Sequence, residues 1–144
     1  MTENLWLDLV ELALRHRDPD KAGNLAQCPV VEEMPAQRRI VDEALSLCRT
    51  AYGLNIPRGL KIRWRFGRDD APRGSTRLLA DGTVEVDFDC RLAPDQLFRT
   101  AIHESAHVSD FASGLYKRFN VIERERRAET FAMRVVSEQG WAAR

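Results

Sequence analysis

The sequence predicts one small domain of the α+β class. Within residues 58–90, the stretches 60–66 and 83–88 alternate apolar and polar side chains with the period of two that is typical of β-strands. The segments before and after carry apolar residues every three or four positions, which is the period of amphipathic helices. A group of strands lying between pairs of helices indicates an α+β arrangement. The length of 144 residues fits a single domain.

Two helices are expected before the strands, within residues 1–55. Residues 4–17 carry leucines at helical spacing and predict the first helix. Residues 18–35 contain proline and glycine without a clear period and are interpreted as a connector. Pro35 opens the second helix, which should end shortly before Gly53 because glycine is a good C-terminal stop.

Three strands are expected in residues 58–90. The first covers residues 60–66, where apolar and basic side chains alternate. The second and third, at residues 76–80 and 83–88, are joined by an Asp-Gly turn, which is a strong hairpin signal. The charged side chains expected to pair across these strands are Lys61, Arg63, Arg65, Glu85, Asp87 and Asp89.

Two further helices are expected in residues 94–139. Pro94 suits the first turn of a helix, and that helix should stop at Gly114. The last helix should run from about Val121 until Gly140 ends it. The predicted order of elements is therefore two helices, three strands and two helices.

The composition excludes several classes of protein. Twenty-two basic residues balance 22 acidic ones, and this zero net charge argues against a general polyanion binder. The apolar runs are far shorter than the roughly 20 residues of a membrane span, and the N-terminus lacks a secretory signal pattern. Three widely spaced cysteines without a CxxC pair indicate reduced thiols in a cytoplasmic protein.

The sheet region is locally basic and raises the question of nucleic-acid binding. Residues 58–77 hold seven basic residues against two acidic ones, with Trp64 and Phe66 interleaved. Because the two aromatic residues alternate with basic residues, the aromatic side chains should face the core rather than a nucleic acid. Charge pairing across the sheet is the favoured interpretation, and nucleic acid is not favoured as a partner.

Residues 103–107 read His-Glu-Ser-Ala-His, an HExxH motif within the predicted third helix. Histidines at positions i and i+4 lie on one face of a helix, so His103 and His107 can bind one zinc ion. The Glu104 side chain leaves the helix about 100° around its axis from His103, which places the carboxylate near the metal's water. Since zinc lowers the pKa of such a water to about 7, Glu104 can act as general base.

Two histidines and a water leave zinc one protein ligand short of its usual four. The metzincin completion is absent, because Asp110 and Ser113 occupy the positions that need glycine and histidine. The last helix offers Glu123, Glu125 and Glu129 as candidates. Glu125 and Glu129 are four residues apart and share a helix face, so the spacing leaves the choice between them open.

Residues 97–133 resemble the gluzincin metallopeptidases. In that family HExxH is followed by a helix bearing ExxxD, and here residues 125–129 read Glu-Arg-Arg-Ala-Glu. The stretch HESAHVSDFASGLY also resembles the active-site helix of thermolysin. The resemblance implies zinc binding by His103, His107 and Glu125, proton transfer by Glu104, oxyanion stabilisation by Tyr116, and orientation of a ligand histidine by Glu129.

The chain departs from the gluzincin pattern at several positions and in length. Glu129 stands in place of the usual aspartate, no histidine follows Glu125, and Arg124 replaces the asparagine that often precedes the ligand glutamate. With 144 residues, the chain is more similar to the minimal single-domain members: minigluzincins, ImmA/IrrE-type proteases and SprT-like proteases. This resemblance implies one zincin-like domain over residues 1–144, with a three-stranded sheet, an HExxH helix and a following glutamate-bearing helix.

The expected function is that of a zinc-dependent endopeptidase, a hydrolase that cleaves a protein or peptide substrate with Glu104 as general base. The alternative is a zincin-fold module that binds or regulates without useful proteolysis, in a DNA-associated setting. The absence of a histidine after Glu125 is the main support for this alternative. No membrane partner is expected.

Overall fold

The computed structural model of the protein describes residues 24–140. The first predicted helix, at residues 4–17, lies outside the described residues. Within the described range, the chain forms three α-helices and one four-stranded mixed sheet. The predicted α+β class is therefore confirmed.

The three helices are α1 (Pro35–Thr50), α2 (Pro94–Ser113) and α3 (Val121–Gln139). α1 ends three residues before Gly53, and α2 ends where Gly114 adopts a φ of 78°, a left-handed conformation that glycine reaches without steric cost. Proline begins α1 and α2, where its missing N–H would have no helical partner. In this part of the chain, no helix combines the length and the apolar character needed to cross a membrane.

The sheet contains β1 (Val30–Val31), β2 (Lys61–Arg65), β3 (Gly74–Leu78) and β4 (Val84–Asp89), in the order β1-β2-β4-β3. β2 and β4 are parallel, whereas β1 and β3 run antiparallel to their neighbours. The sequence predicts a sheet of roughly three strands; these are β2, β3 and β4, and β1 adds a fourth that was not predicted. Two residues are too few to show a period, so this strand was invisible in the sequence pattern.

The HExxH helix, α2, is the central helix of the domain. It lies against β3 and β4 and is flanked by α1 and α3. The core between helix and sheet contains Phe88 from β4 with Phe98 and Ile102 from α2, each at most 1% exposed. Burial of such side chains contributes about 1.5–3 kcal/mol each, so this contact holds α2 firmly on the sheet.

On the other face of the sheet, Glu85 and Asp87 of β4 pair with basic residues of the neighbouring strands, as predicted. The prediction is wrong for Asp89, which pairs with Arg91 two residues along the chain. Arg63 Nε lies 3.1 Å from a carboxylate oxygen of Glu85, and Arg65 Nε lies 3.4 Å from one of Asp87. Burial raises the pKa of Asp87. Burial also opposes ionisation of Glu85, but Arg63 and Arg77 outweigh it and hold the pKa of Glu85 below its usual value. Several of the basic side chains are therefore engaged within the sheet.

The prediction that both aromatic residues of the first strand face the core is wrong for Phe66. Trp64 is only 3% exposed, whereas Phe66 is 56% exposed. β2 ends at Arg65, so Phe66 lies past the strand and does not continue its alternation. The guanidinium carbon of Arg91 lies 5.6 Å from the centre of the Phe66 ring.

Candidate metal centre

The two histidines of the motif lie one turn apart on α2, at the face that meets α3. Their ring centres are 5.1 Å apart, and the His103 and His107 side chains are 15% and 7% exposed. This arrangement follows from local helix geometry, because side chains at i and i+4 lie above one another. The histidine pair is therefore pre-formed by α2 alone.

The third member of the cluster comes from α3. Glu125 is 3% exposed, and its two carboxylate oxygens lie 3.2 Å from His103 Nε2 and 3.0 Å from His107 Nε2. One ligand atom from each residue can be chosen so that all three lie within 4.8 Å of one another, so this group could hold a metal ion. Ligands about 2.1 Å from a tetrahedral ion are about 3.4 Å apart, which is close to the observed separations.

One buried atom in this cluster fits a metal ligand particularly well. In residues 24–140, His107 Nε2 has no hydrogen-bond partner, although it is close to the Glu125 carboxylate. The two atoms are near one another without the alignment that a hydrogen bond needs. An unsatisfied buried polar atom costs about 1–3 kcal/mol, and coordination to a metal ion would remove that cost.

Glu129 approaches His103 from the opposite side of the ring. Its Oε2 lies 3.0 Å from His103 Nδ1, and its Oε1 accepts a hydrogen bond from Arg99. A carboxylate in this place fixes the ring orientation and directs Nε2 towards the cluster. Glu123, the remaining candidate, instead forms a reciprocal capping interaction with Asn120 at the start of α3.

The carboxylates also change the protonation of the metal-free histidine. Burial disfavours the charged form of His103, but hydrogen bonds to Glu125 and Glu129 outweigh it and raise the pKa of His103 to about 9. The hydrogen bond to His103 in turn lowers the pKa of Glu129, and Arg99 adds to this effect. The raised pKa favours the protonated form of the His103 imidazole.

Glu104 is buried next to the cluster but outside the ligand group. Its Oε1 accepts a 3.0 Å hydrogen bond from the Thr76 hydroxyl of β3. Its Oε2 lies 3.9 Å from His103 Nε2. The motif glutamate therefore directs one oxygen to the edge strand and the other towards the candidate metal position.

A small pocket of about 130 Å³ opens beside the cluster. Its lining residues are Thr76, His107, Phe111, Val121, Arg124 and Glu125. Within the described chain, the buried Arg124 Nε has no hydrogen-bond partner. The pocket therefore combines two of the candidate ligands with apolar side chains and a guanidinium group.

Tyr116 lies in a short 3-10 turn, Leu115–Arg118, between α2 and α3. The centre of the Tyr116 ring lies 5.0 Å from the centre of the Phe111 ring and 5.9 Å from Lys117 Nζ. Tyr116 thus packs behind a residue that lines the pocket. Its role at an oxyanion stays a prediction.

Thr76 is a neighbour of the site that the sequence pattern did not predict. Its contact with Glu104 joins residues 28 positions apart in the chain, which no local spacing reveals. A weak signal was present, since Gly74 and Thr76 occupy alternate positions of one strand and so lie on the same face. A small residue followed by a hydroxyl on one strand face permits close approach of another element.

Comparison with protein-family models, with curated proteins and with solved structures finds no match to this chain. The functional evidence is therefore the chemistry of the candidate metal centre. It consists of two imidazoles, a bridging carboxylate and a separate buried carboxylate around one small pocket.

Proposed function

We propose that this protein is a zinc-dependent endopeptidase of the gluzincin type with a zincin-like fold. One observation carries the proposal. Nε2 atoms of His103 and His107 lie 3.2 and 3.0 Å from the Glu125 carboxylate, and Glu104 lies beside this group without belonging to it. A metal-assisted hydrolase needs both parts, a ligand set and a separate base.

The donor set supports zinc as the metal. Two imidazoles and one carboxylate form a known ligand set of catalytic zinc, which keeps a fourth position for water or substrate. Such an ion supplies a Lewis acid that polarises the scissile carbonyl and lowers the pKa of a water molecule. Glu129 would hold His103 in the orientation that the site needs.

Glu104 is the proposed general base. Because its Oε2 faces the ligand group at 3.9 Å from His103 Nε2, it can accept a proton from the attacking water. The same carboxyl group then delivers the proton to the nitrogen of the departing amine. Burial of Glu104 keeps bulk water away from this transfer.

Arg124 is the proposed stabiliser of the negative charge that develops on the carbonyl oxygen. It lines the same pocket as His107 and Glu125, and its Nε is buried without a partner among the described residues. A pre-oriented donor of this kind is commonly worth a factor of about 100 or more in kcat. Tyr116, which packs behind Phe111, is the second candidate for this role.

The proposed substrate is an extended segment of a protein or peptide. Among the described residues, β3 lies at one edge of the sheet, and it carries Thr76 into the pocket. An exposed strand edge offers backbone groups with which an extended peptide can pair. The apolar side chains of Phe111 and Val121 would receive a small apolar side chain of the substrate.

The test compares wild type with Glu104→Gln and, as a matched control, Glu123→Gln. Zinc content is measured by elemental analysis, and cleavage is measured on casein with and without a chelator. We expect all three proteins to bind one zinc ion, and only Glu104→Gln to lose turnover. The control glutamate lies on α3 at its capping position, so its amide should leave activity intact.

Full proteolysis by Glu104→Gln would contradict the assignment of the base. Zinc binding by wild type without cleavage of any substrate would favour the alternative of a binding or regulatory module. Repeating the assay with single-stranded DNA tests whether such a module, or a dormant protease, depends on nucleic acid.

A further inference from the structure

The edge strand β3 makes a direct contact with the motif helix at Glu104. The Thr76 hydroxyl lies 3.0 Å from Glu104 Oε1 and 3.5 Å from the Glu104 backbone oxygen. A hydroxyl has one proton to donate, and the shorter distance indicates that the carboxylate receives it. Hydrogen bonds to an ionised acceptor are roughly twice as strong as neutral ones.

A glycine on the same face of β3 makes this contact feasible. A Cβ atom at Gly74 would lie 2.7 Å from Thr100 Cγ2 and 3.1 Å from Glu104 Cγ. The backbone of β3 therefore approaches α2 more closely here than any side chain would permit. Two residues further along, the same close approach brings the Thr76 hydroxyl within reach of the carboxylate.

The two oxygens of Glu104 consequently have different surroundings. Oε1 accepts from Thr76, whereas Oε2 lies 3.9 Å from His103 Nε2 on the side of the ligand group. We propose that Thr76 is a positioning residue: its hydroxyl holds Oε1 so that Oε2 points at the attacking water. This inference rests on the proposed function, in which Glu104 is the general base.

The contact matters because a glutamate side chain has several rotatable bonds and a proton transfer needs a short, aligned path. A displacement of about 1 Å in a reacting group can cost a factor of about 100 in rate. Loss of one hydrogen bond that fixes the carboxylate should therefore lower kcat by at least about tenfold. Binding of substrate and of zinc does not need the hydroxyl, so KM and zinc affinity should be preserved.

The experiment uses Thr76→Val, which replaces the hydroxyl by a methyl group of similar size, and Thr76→Ser, which retains a hydroxyl. For both, kcat and KM are measured on a peptide cleaved by wild type, and the zinc dissociation constant is measured by competition with a chelator. We expect Thr76→Val to lower kcat at least about tenfold with KM and zinc affinity unchanged, and Thr76→Ser to restore most of the rate.

A wild-type kcat in Thr76→Val would overturn the inference. Equal losses in Thr76→Val and Thr76→Ser would also overturn it, because the serine hydroxyl can still donate. A purely structural role predicts a different pattern, in which thermal stability falls while kcat at a permissive temperature stays at the wild-type value.

A second readout separates this inference from the proposed function. The urea midpoint is measured for wild type, Thr76→Val, Glu104→Ala and the double variant, all in metal-free form. If the two residues interact, Thr76→Val should lower the midpoint more in wild type than in the Glu104→Ala background. Equal shifts would overturn the contact itself. If the midpoint shifts are unequal but the wild-type protein cleaves no substrate, the hydrogen bond between Thr76 and Glu104 stands. In that case the proposed protease function, and with it the role of Glu104 as general base, is overturned.

Discussion

Zinc binding to the metal-free protein should release a proton from His103. Burial disfavours the imidazolium, but hydrogen bonds to Glu125 and Glu129 outweigh it and raise the pKa of His103 to about 9. With this pKa, roughly nine-tenths of His103 is protonated at about pH 8. A metal ligand has to be deprotonated, so the ion must displace this proton before it binds Nε2.

The direction of the pH dependence follows from the raised pKa. An unfolded histidine has a pKa of about 6.5, so the proton on His103 fully stabilises the metal-free fold below about pH 6.5. This stabilisation is lost as the pH rises through about 9. The difference of about 2.5 pKa units corresponds to about 3 kcal/mol. Over the same interval, the apparent affinity for zinc should increase about tenfold per pH unit.

The assay is titration calorimetry with zinc at pH 8 in two buffers that differ in ionisation enthalpy, which counts released protons. The comparison protein is Glu129→Gln, in which the carboxylate on His103 Nδ1 is replaced by a neutral amide. Because the hydrogen bond to the Glu129 carboxylate helps to raise the pKa of His103, we expect the variant to carry less of this proton and to release fewer protons on binding zinc. Protons released from other groups are common to both proteins and cancel in the comparison. Identical proton counts, or a zinc affinity that does not change with pH, would show that zinc does not displace a proton from His103.

Two further predictions address the pocket and the approach of β3 to α2. Arg124→Met removes the guanidinium group from the pocket, so it should lower kcat by about 100-fold and leave the zinc content unchanged. A kcat within about twofold of wild type would exclude Arg124 as the oxyanion stabiliser. Gly74→Ala should lower the free energy of unfolding by about 1–3 kcal/mol in urea titrations, because its Cβ would meet Thr100. Gly59→Ala is the matched control, since a Cβ there has nothing within 4 Å, and equal effects would contradict the close approach.

Features that depend on local geometry were predictable from the sequence. The limits of α2 and α3 follow from helical periodicity and from glycines that accept a left-handed conformation, such as Gly114. The convergence of His103 and His107 needs only the i, i+4 geometry of one helix. Spacing narrowed the candidates for a third ligand to Glu125 and Glu129, because both share a face of the last helix.

Features that depend on tertiary packing were not predictable. β1 exists only through its pairing with β2, and its two residues, Val30 and Val31, have no periodicity of their own. The distinct contacts of Glu125 with the two Nε2 atoms and of Glu129 with His103 Nδ1 depend on how α3 is placed against α2. The contact of Thr76 with Glu104 depends in the same way on how β3 packs.

We propose that His103, His107 and Glu125 hold a zinc ion and that Glu104 serves beside it as general base. The most direct measurement is a crystal structure of the zinc-loaded protein with anomalous scattering at the zinc edge. We predict one zinc ion within about 2.2 Å of His103 Nε2, His107 Nε2 and a Glu125 carboxylate oxygen, with Glu104 uncoordinated beside it. A zinc ion bound without Glu125, or one that takes Glu104 as a ligand, would contradict these assigned roles.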